Sequence, residues 1–529
     1  MSRRLTNAVE IILLFVILIS LGLGVSWTGG SVFATQPLSH DAPQVVAQVD
    51  ATQAASPTPS GERVKNGTPV PNEATAGLTP NSAGDILTGT RAVPAYPAIT
   101  GTIGPVPTSA VIDPSHFQIE PGDAPLLVQA PGTINILLLG SDNSADPRYS
   151  RTDTIMIASI NPDMPSVSLL SFPRDLQVRI PNHTDDRINT AFEYGYMAKY
   201  PGGGPAFLAL VLRKNFGIKI DHYVRVNFSG FVKIVDQLGG VQVIAECELH
   251  DTFPDPGFVL NGTRMRGTVD LDVYPGKVQL DGYKALMYSR SRESTTDFDR
   301  ARRQQKVLRA LFNKVKSSKL LANAIPLYQE FQQSVDTDLG LTSLPTFVDI
   351  ATRLDNLSIK NRVITYPILK AFTRKDGAMV LLPTDLIIPY IRDALSPPAG
   401  NQAQNRINVE VVNASGRKDM EAVAADRLTW EGFVVTSAVA SDTLEANTQI
   451  VDFTTTPKGS PISRLADIFG VRKALITSQP NASTPVVARV ILGKNYNSCP
   501  STSTIAGDVT LSPSNTDMIP TSTPVKATR

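Results

Sequence analysis

The chain of 529 residues is long enough for two or three domains. Its 49 Lys and Arg residues nearly balance its 48 Asp and Glu residues, so the formal net charge of +1 gives no indication of a nucleic-acid partner. Only two cysteines occur, which excludes a disulfide scaffold and a cysteine zinc site of the usual spacing. Because Cys247 and Cys499 fall in different predicted regions, we expect two free thiols rather than a disulfide, although an extracytoplasmic location would permit one.

The N-terminus carries an export signal. Arg3 and Arg4 precede an apolar run over residues 11–27, and no charged residue follows until Asp41. Positive charge before an apolar segment places residues 1–10 in the cytoplasm and the rest of the chain outside. The run is about the minimum length for a transmembrane helix. We expect an uncleaved single-pass anchor in the cell membrane; a cleaved signal peptide is the alternative, because residues 31–34 resemble a cleavage site.

Two long segments have the composition of disordered chain. Residues 28–129 and 498–529 are rich in Pro, Thr, Ser, Ala and Gly and have few periodic apolar positions. Such segments cannot bury enough surface to offset the entropy cost of ordering. We therefore predict a disordered stalk and a disordered tail, and assign no chemistry to either.

Between the stalk and the tail, short apolar runs alternate with segments of helical spacing. Residues 130–395 are predicted to form one layered α/β domain around a buried sheet. A linker at 396–405 leads to a small second α/β domain at 406–497. The pattern predicts strands at 134–139, 154–160, 167–172, 241–245, 407–412, 433–436 and 486–492, and helices at 228–238, 280–288, 300–315, 419–430 and 462–469.

Two carboxylates lie at the ends of neighbouring predicted strands. Asp142 follows the first strand, and Asp153 precedes the second. Carboxylates that converge in this way can bind Mg²⁺, which prefers oxygen ligands. The spacing alone is also consistent with two residues that cap turns.

A run of arginines follows the same strands. Arg174 comes directly after the third apolar strand, where functional groups of α/β folds gather, and could meet a phosphate there or simply pair with Asp175. Arg290 and Arg292 would point to one face of an extended segment. In the next helix, Arg300, Arg303 and Gln304 share the apolar face, whereas Arg302, Lys306 and Arg309 fall on the opposite face, which we expect to be solvated.

The inward arginines of this helix favour an anionic ligand. Positive charge is unfavourable in the first turn of a helix, and a buried charge is costly without a partner. A bound anion would resolve both problems, and ion pairs with Asp297 or Asp299 are the alternative. No serine–histidine–acid arrangement, no histidine set with metal-ligand spacing and no glycine-rich phosphate loop is present.

Seven segments, in the same order, resemble the LytR-CpsA-Psr family: NILLLGSD, RTDTIMIASINP, VSLLSFPRDLQVRIP, RINTAFEYGY, FVKIVDQLGGVQV, LDGYKALMYSRSR and DFDRARRQQKVL. They cover about residues 134–315. Three later segments, INVEVVNASG, WEGFVV and VILGKNY, resemble the C-terminal domain that often follows in this family. The resemblance implies an α/β core with a central mixed sheet flanked by helices.

The resemblance also implies roles for the residues singled out above. Asp142 and Asp153 would form a magnesium site. The pyrophosphate of a polyprenyl lipid would lie among Arg174, Arg290, Arg292, Arg300, Arg303 and Gln304. One departure is that the family often has Arg two positions after the first Asp, where this chain has Ser144, and Arg148 is the nearest replacement.

The function implied by the resemblance is transfer of a lipid-pyrophosphate-linked glycan to a peptidoglycan hydroxyl outside the cell membrane. Arg174 would stabilise the charge on the leaving phosphate, and Asp153 is the candidate base. Two alternatives remain: a lipid pyrophosphate phosphatase that uses water as the acceptor, and a non-catalytic envelope-binding or regulatory protein.

Overall fold

A computed structural model describes residues 111–142, 152–254, 259–260, 263–264, 268–317, 335–339, 351–398, 406–454 and 461–499. The predicted cytoplasmic segment, the membrane anchor and residues 28–110 of the predicted stalk lie outside these ranges. So do Ser144, Arg148 and most of the linker and the tail. No helix within the described ranges is long and apolar enough to cross a membrane.

The described chain contains two α/β domains. The first consists, in chain order, of β1 (Ile134–Ser141), β2 (Thr152–Asn161), β3 (Ser166–Phe172), β4 (Gln177–Val178), β5 (Asp186–Arg187), α1 (Ala191–Met197), α2 (Gly203–Phe216), β6 (His222–Asn227), α3 (Phe228–Gln237), β7 (Val241–Ala245), β8 (Leu249–Pro254), β9 (Val259–Leu260), β10 (Thr263–Arg264), β11 (Thr268–Val273), β12 (Gly276–Leu280), α4 (Gly282–Arg290), α5 (Asp297–Ser317), β13 (Val335–Thr337), β14 (Ile359–Val363), β15 (Leu369–Thr373), β16 (Met379–Pro383) and α6 (Ile387–Ala394). The second consists of β17 (Asn408–Asn413), α7 (Met420–Trp430), β18 (Val434–Ala440), β19 (Gln449–Asp452), α8 (Ile462–Phe469), β20 (Ile476–Ser478) and β21 (Ala488–Leu492).

The first domain is built on a mixed sheet with strand order β13-β6-β1-β2-β3-β14. β1 pairs antiparallel with β2 and parallel with β6. Successive side chains of a strand face opposite sides, so Ile136 and Leu138 pack toward α3 and α5, whereas Leu137 and Leu139 pack toward α1, α2 and α6. Both faces of the sheet are therefore covered by helices, which confirms the predicted mixed sheet with flanking helices.

The second domain has a five-stranded sheet with the order β18-β17-β21-β19-β20. Its core is formed by side chains from the sheet and from α7 and α8, among them Val411, Leu428, Leu465 and Val490. The helices and strands predicted for this domain are all present. β19 and β20 were not predicted, because they are only four and three residues long and lie at one side of the sheet.

The predicted stalk extends too far toward the first domain. Residues 111–129 pack against this domain, with Ile112 and Leu127 buried in its core. The buried carboxylate of Asp123 lies 3.2 Å from Nζ of Lys214 in α2. A buried ion pair and two apolar anchors fix this segment, so the prediction of disorder is wrong for residues 111–129.

The prediction of two free thiols is also wrong. Cys247 and Cys499 form a disulfide that joins the first domain to the end of the second. Sequence spacing could not show this, because 252 residues separate the two cysteines. The bond also means that Ser498 and Cys499, assigned to the tail, belong to the second domain.

The outer face of α5 is buried, contrary to the expectation that it is solvated. Arg302, Lys306 and Arg309 are 8%, 7% and 8% exposed, because the second domain packs on them. Glu246 oxygens lie 3.3 Å from Nη2 of Arg302 and 3.3 Å from Nζ of Lys306. The guanidinium carbons of Arg302 and Arg309 lie 5.0 and 5.8 Å from the ring centroid of Trp430. Helical periodicity correctly predicted that these residues share one face of α5. It could not show that the second domain packs on this face.

Glu246 is the central anion of this interface. Burial by itself raises the pKa of the Glu246 carboxyl, but Lys306, Arg302 and Arg427 outweigh burial and hold that pKa well below its usual range. Because the pKa of Glu246 is lower in the folded state, its ionised carboxylate stabilises the folded protein. This contribution is fully present at pH values above its ordinary pKa of 4.5. This contribution is lost as the pH falls from that value toward the lower folded-state pKa.

We predict that Glu246→Gln lowers the free energy of unfolding at pH 7 by about 3–5 kcal/mol, since three buried cations lose their shared anion. Urea unfolding can be followed by fluorescence, because Trp430 at the interface is one of only two tryptophans in the chain. The difference from wild type should shrink as the pH falls below 4.5. Glu410→Gln, which removes an exposed pair with Arg489, is the control and should cost less than about 1 kcal/mol. Equal losses in the two variants would contradict the assignment.

Candidate functional site

A β-bulge at the ends of β1 and β2 positions the acidic part of the site. Gly140 pairs with Thr154 and Ser141 pairs with Thr152, so Asp153 is the extra residue of β2. Gly140 is needed for the close approach of the strands, because a Cβ at this position would lie 2.9 Å from Cβ of Thr154. Asp142 follows β1 at the same edge of the sheet, as the sequence predicted.

A cavity of about 360 Å³ opens at this edge, between the sheet and helices α3, α4 and α5. Its polar lining includes Asp153, Arg174, Arg290, Arg292, Arg300 and Gln304. Its apolar lining includes Leu138, Met156, Val224, Phe231, Val307 and Leu311. The structure therefore brings six of the eight predicted site residues together in one cavity wall.

Polar and apolar side chains are separated along α5, one of the helices that line this cavity. The strands contribute the apolar side chains of Leu138 on β1 and of Val224 and Val226 on β6. On α5, Arg300 and Gln304 in the first two turns are followed by apolar side chains at 307, 308 and 311. Side chains two apart on a strand, or three to four apart on a helix, share a face. The cavity thus has a charged mouth and an apolar interior.

Arg174 and Asp153 form the ion pair at the mouth. Nη1 of Arg174 lies 3.0 Å from Oδ1 of Asp153, and its Nε lies 3.5 Å from Oδ2 of Asp175. Burial lowers the pKa of Arg174, but Asp153, Asp175 and Asp297 outweigh burial and raise it. The Asp153 side chain is 43% exposed, so it can still reach a ligand in the mouth.

Arg300 lies in the first turn of α5 and is only 6% exposed. Its Nη2 donates to the backbone oxygen of Asp153 at 3.3 Å and lies 3.0 Å from Oδ1 of Asp297. Burial lowers the pKa of Arg300, and the nearby Arg174 and Arg292 add to this effect, although Asp297 and Asp153 oppose it. Arginine stays protonated in proteins, so this buried charge would be stabilised further by an anion in the cavity.

Arg290 and Arg292 flank the end of α4. Arg290 is the last helical residue, and its guanidinium carbon lies 4.4 Å from the ring centroid of Phe228. Arg292 follows the cap residue Ser291, so the prediction that the two arginines lie in one extended segment is wrong. Within the described part of the chain, neither guanidinium has a carboxylate partner. Both charges are therefore available to a ligand.

Gln304 and Arg303 have different surroundings. Gln304 lines the cavity and donates from Nε2 to the backbone oxygen of Ser289 at 3.2 Å. Arg303, predicted to contact pyrophosphate, lies behind the wall. Its guanidinium donates to the backbone oxygens of Tyr288 and Ser291 and to Oγ1 of Thr295. These bonds hold the segment that carries Arg290 and Arg292, so Arg303 supports the cavity instead of lining it.

The predicted metal ligands are only partly brought together. Asp153 lines the cavity, whereas Asp142 lies beside the bulge and is not part of the lining. In the ranges that the structure describes, no group of three or more His, Cys, Asp or Glu side chains is arranged to hold a metal ion. Two carboxylates at one strand edge still match the oxygen ligands that Mg²⁺ prefers.

The cavity wall also contains polar residues that were not predicted from the sequence, among them Asp251 and Ser289. Asp251 is 1% exposed and accepts hydrogen bonds from the backbone of the segment after α4. Ser289 is buried, and its hydroxyl has no hydrogen-bond partner among the described residues. Asp251 is 41 residues from its partner Arg292, so no local pattern shows their contact.

Comparisons with known proteins agree with this architecture. The LytR_cpsA_psr family matches residues 108–386, and the family described as LytR cell envelope-related transcriptional attenuator matches residues 406–496. Polyisoprenyl-teichoic acid–peptidoglycan teichoic acid transferase TagU of Oceanobacillus iheyensis is 31% identical over 45% of this chain and 71% of its own length. Regulatory protein MsrR of Staphylococcus aureus is 33% identical over 35% of this chain and 50% of its own length.

Among solved structures, the crystal structure of B. subtilis TagV is similar over 50% of this chain and 95% of that chain, with a TM-score of 0.41 and 22% identity. The match to the LytR_cpsA_psr family covers more than half of the 529 residues and includes every residue of the cavity wall. The chain therefore belongs to the LytR-CpsA-Psr family.

Proposed function

We propose that this protein is a transferase that attaches polyprenyl-pyrophosphate-linked glycopolymers to peptidoglycan. One observation carries the proposal: a single cavity combines four arginines at its mouth with an apolar interior. A pyrophosphate requires the first feature, and a polyprenyl chain requires the second. The printed name of the TagU relative, a peptidoglycan teichoic acid transferase, supports the same reaction class.

The arginines would hold the pyrophosphate. Arg174 and Arg300 are fixed by Asp153 and Asp297, whereas Arg290 and Arg292 have no carboxylate partner among the described residues. Guanidinium groups bind phosphate oxygens in a planar, bidentate geometry. The apolar side chains deeper in the cavity would take the first isoprene units, and each buried methylene contributes about 0.8 kcal/mol.

The reaction would be a phosphoryl transfer. The acceptor hydroxyl oxygen attacks the phosphorus attached to the glycan, and the bond from this phosphorus to the bridging oxygen breaks. The products are a wall-linked phosphodiester and a polyprenyl phosphate. Arg174 and Arg300 would stabilise the charge that develops on the leaving phosphate, and Asp153 would take the hydroxyl proton.

Magnesium is part of this proposal. Asp142 and Asp153 would hold the ion at the strand edge, and waters and phosphate oxygens would complete its shell. When bound, Mg²⁺ would neutralise charge on the pyrophosphate as a Lewis acid. The proposal also keeps the predicted location: a membrane anchor at residues 11–27, with both domains on the outer side and no nucleic-acid partner.

Turnover by the full-length protein tests the reaction itself. Full-length protein in detergent micelles, given Mg²⁺, a polyprenyl-pyrophosphate oligosaccharide and peptidoglycan, should form wall-linked glycan. Arg174→Ala should lower kcat by about 100-fold or more, because a donor to the developing charge is lost. Arg489→Ala, in the second domain, is the matched control and should be fully active. Release of free glycan alone would indicate a phosphatase, and lipid binding without turnover would indicate a binding protein.

A pair of variants separates a cavity residue from a supporting one. Arg292→Ala should weaken binding of farnesyl pyrophosphate by roughly tenfold, the order expected for one charge-assisted hydrogen bond, and leave stability unchanged. Arg303→Met should lower the free energy of unfolding by about 3 kcal/mol or more, because three hydrogen bonds of a buried charged group are lost. Calorimetric titration and urea unfolding measure the two effects. Equal stability losses in both variants would contradict the distinction.

Chelation tests the metal. EDTA should abolish transfer, and added Mg²⁺ should restore it. Asp142→Asn and Asp153→Asn should each raise the Mg²⁺ concentration for half-maximal transfer by about tenfold or more, since each removes a charged oxygen ligand. Asp163→Asn, in the turn between β2 and β3, is the control. Full activity in EDTA would exclude the proposed metal site.

A further inference from the structure

The segment after α4 depends on one buried carboxylate. Oδ2 of Asp251 accepts hydrogen bonds from the backbone N–H groups of Arg292 at 2.8 Å and Glu293 at 3.2 Å. Its Oδ1 accepts from the N–H of Ser294 at 3.1 Å and from the Ser294 hydroxyl. Burial raises the pKa of Asp251, but these hydrogen bonds outweigh it and lower the pKa. Four hydrogen bonds to one carboxylate thus fix the backbone that directs Arg292 into the cavity wall.

The same short stretch of chain is attached to the second domain. Residues 246–253, here called the coupling segment, begin with Glu246, which lies 3.8 Å from Nε of Arg427 in α7. The next residue, Cys247, is bonded to Cys499. Asp251 is four positions after Cys247, a span of about 13 Å at most in extended chain. Phe253, at the end of the segment, lies in the cavity wall.

Helix α5 connects the same two sites. Its inner face contributes Arg300 and Gln304 to the cavity. Its outer face is covered by the second domain, where Lys306 pairs with both Glu246 and Asp426. The second domain therefore contacts two of the elements that form the arginine-lined mouth.

We infer that Asp251 is a positioning residue for Arg292, and that the second domain, through the Cys247–Cys499 bond and the Glu246 ion cluster, holds the coupling segment that carries Asp251. The inference rests on the proposed function, because it concerns the arrangement of the same anion site. The second domain is then a structural part of the donor site, and reduction of the disulfide weakens donor binding.

The first test is a double-mutant cycle, with binding of farnesyl pyrophosphate to the full-length protein in detergent measured by calorimetry. Asp251→Asn presents an amide to backbone donors and should displace the segment, so affinity should fall by about tenfold, as for Arg292→Ala. The double variant should bind no more weakly than Arg292→Ala alone, because Asp251 acts through Arg292. Asp355→Asn is the matched control: Asp355 accepts similar bonds from Leu357 and Ser358, away from the cavity. Additive losses in the double variant would overturn the positioning role.

The second test concerns the second domain. Cys499→Ser, and wild type treated with a reducing agent, should each bind the probe about threefold or more weakly, since the coupling segment loses its covalent attachment. The reducing agent should have no further effect on Cys499→Ser. Trp430 fluorescence shows in each case whether the domain remains folded. Unchanged affinity in both samples would overturn the part assigned to the second domain.

These experiments separate the inference from the function on which it rests. If wild type does not bind farnesyl pyrophosphate, the proposed function and the inference both fail. If wild type binds it and Asp251→Asn, Cys499→Ser and the control bind equally well, only the inference fails.

Discussion

Buried positive charge on α5 is the constraint on which the rest of the structure depends. Five basic residues of this helix are less than 9% exposed: Arg300, Arg302, Arg303, Lys306 and Arg309. A buried charge is tolerated only when it is paired or hydrogen-bonded. The two faces of the helix meet this requirement differently. The outer face stabilises the protein, and part of the inner face is available to a ligand.

On the outer face the protein supplies the partners. Glu246, Asp426 and the ring of Trp430 lie against three cations, and the domain interface is built around them. On the inner face, Arg303 donates hydrogen bonds to backbone oxygens. Arg300 forms an ion pair with Asp297, but Arg174 and Arg292 also lie nearby. Toward the cavity, Arg300 lies near Arg174 and Arg292, so positive charge accumulates where the proposed pyrophosphate would lie.

The sequence predicted the elements whose signal is local. Strands β1 to β3 are continuous apolar runs, and α5 has a clear apolar stripe, so both were placed within a few residues. Helix α2 was missed because Gly203, Gly204 and Pro205 at its start read as a turn. Six of the eight predicted site residues line one cavity. Arg174 follows a strand end and Arg300 and Gln304 share a helix face, as predicted, whereas Arg290 and Arg292 lie at a helix end instead of in an extended segment. Periodicity does not report contacts between distant parts of the chain. Three features depend on such contacts: the role of Asp251, the burial of the outer face of α5 by the second domain, and the disulfide.

The disulfide has a consequence for the integrity of the molecule after cleavage. It joins residues 252 positions apart, on either side of the connection between the two domains. A protease that cuts this connection would leave the two fragments covalently linked, with the ion cluster of Glu246 still in place. Such a nicked molecule would keep both domains together, and the fragments would separate only after the sulfur–sulfur bond is broken as well.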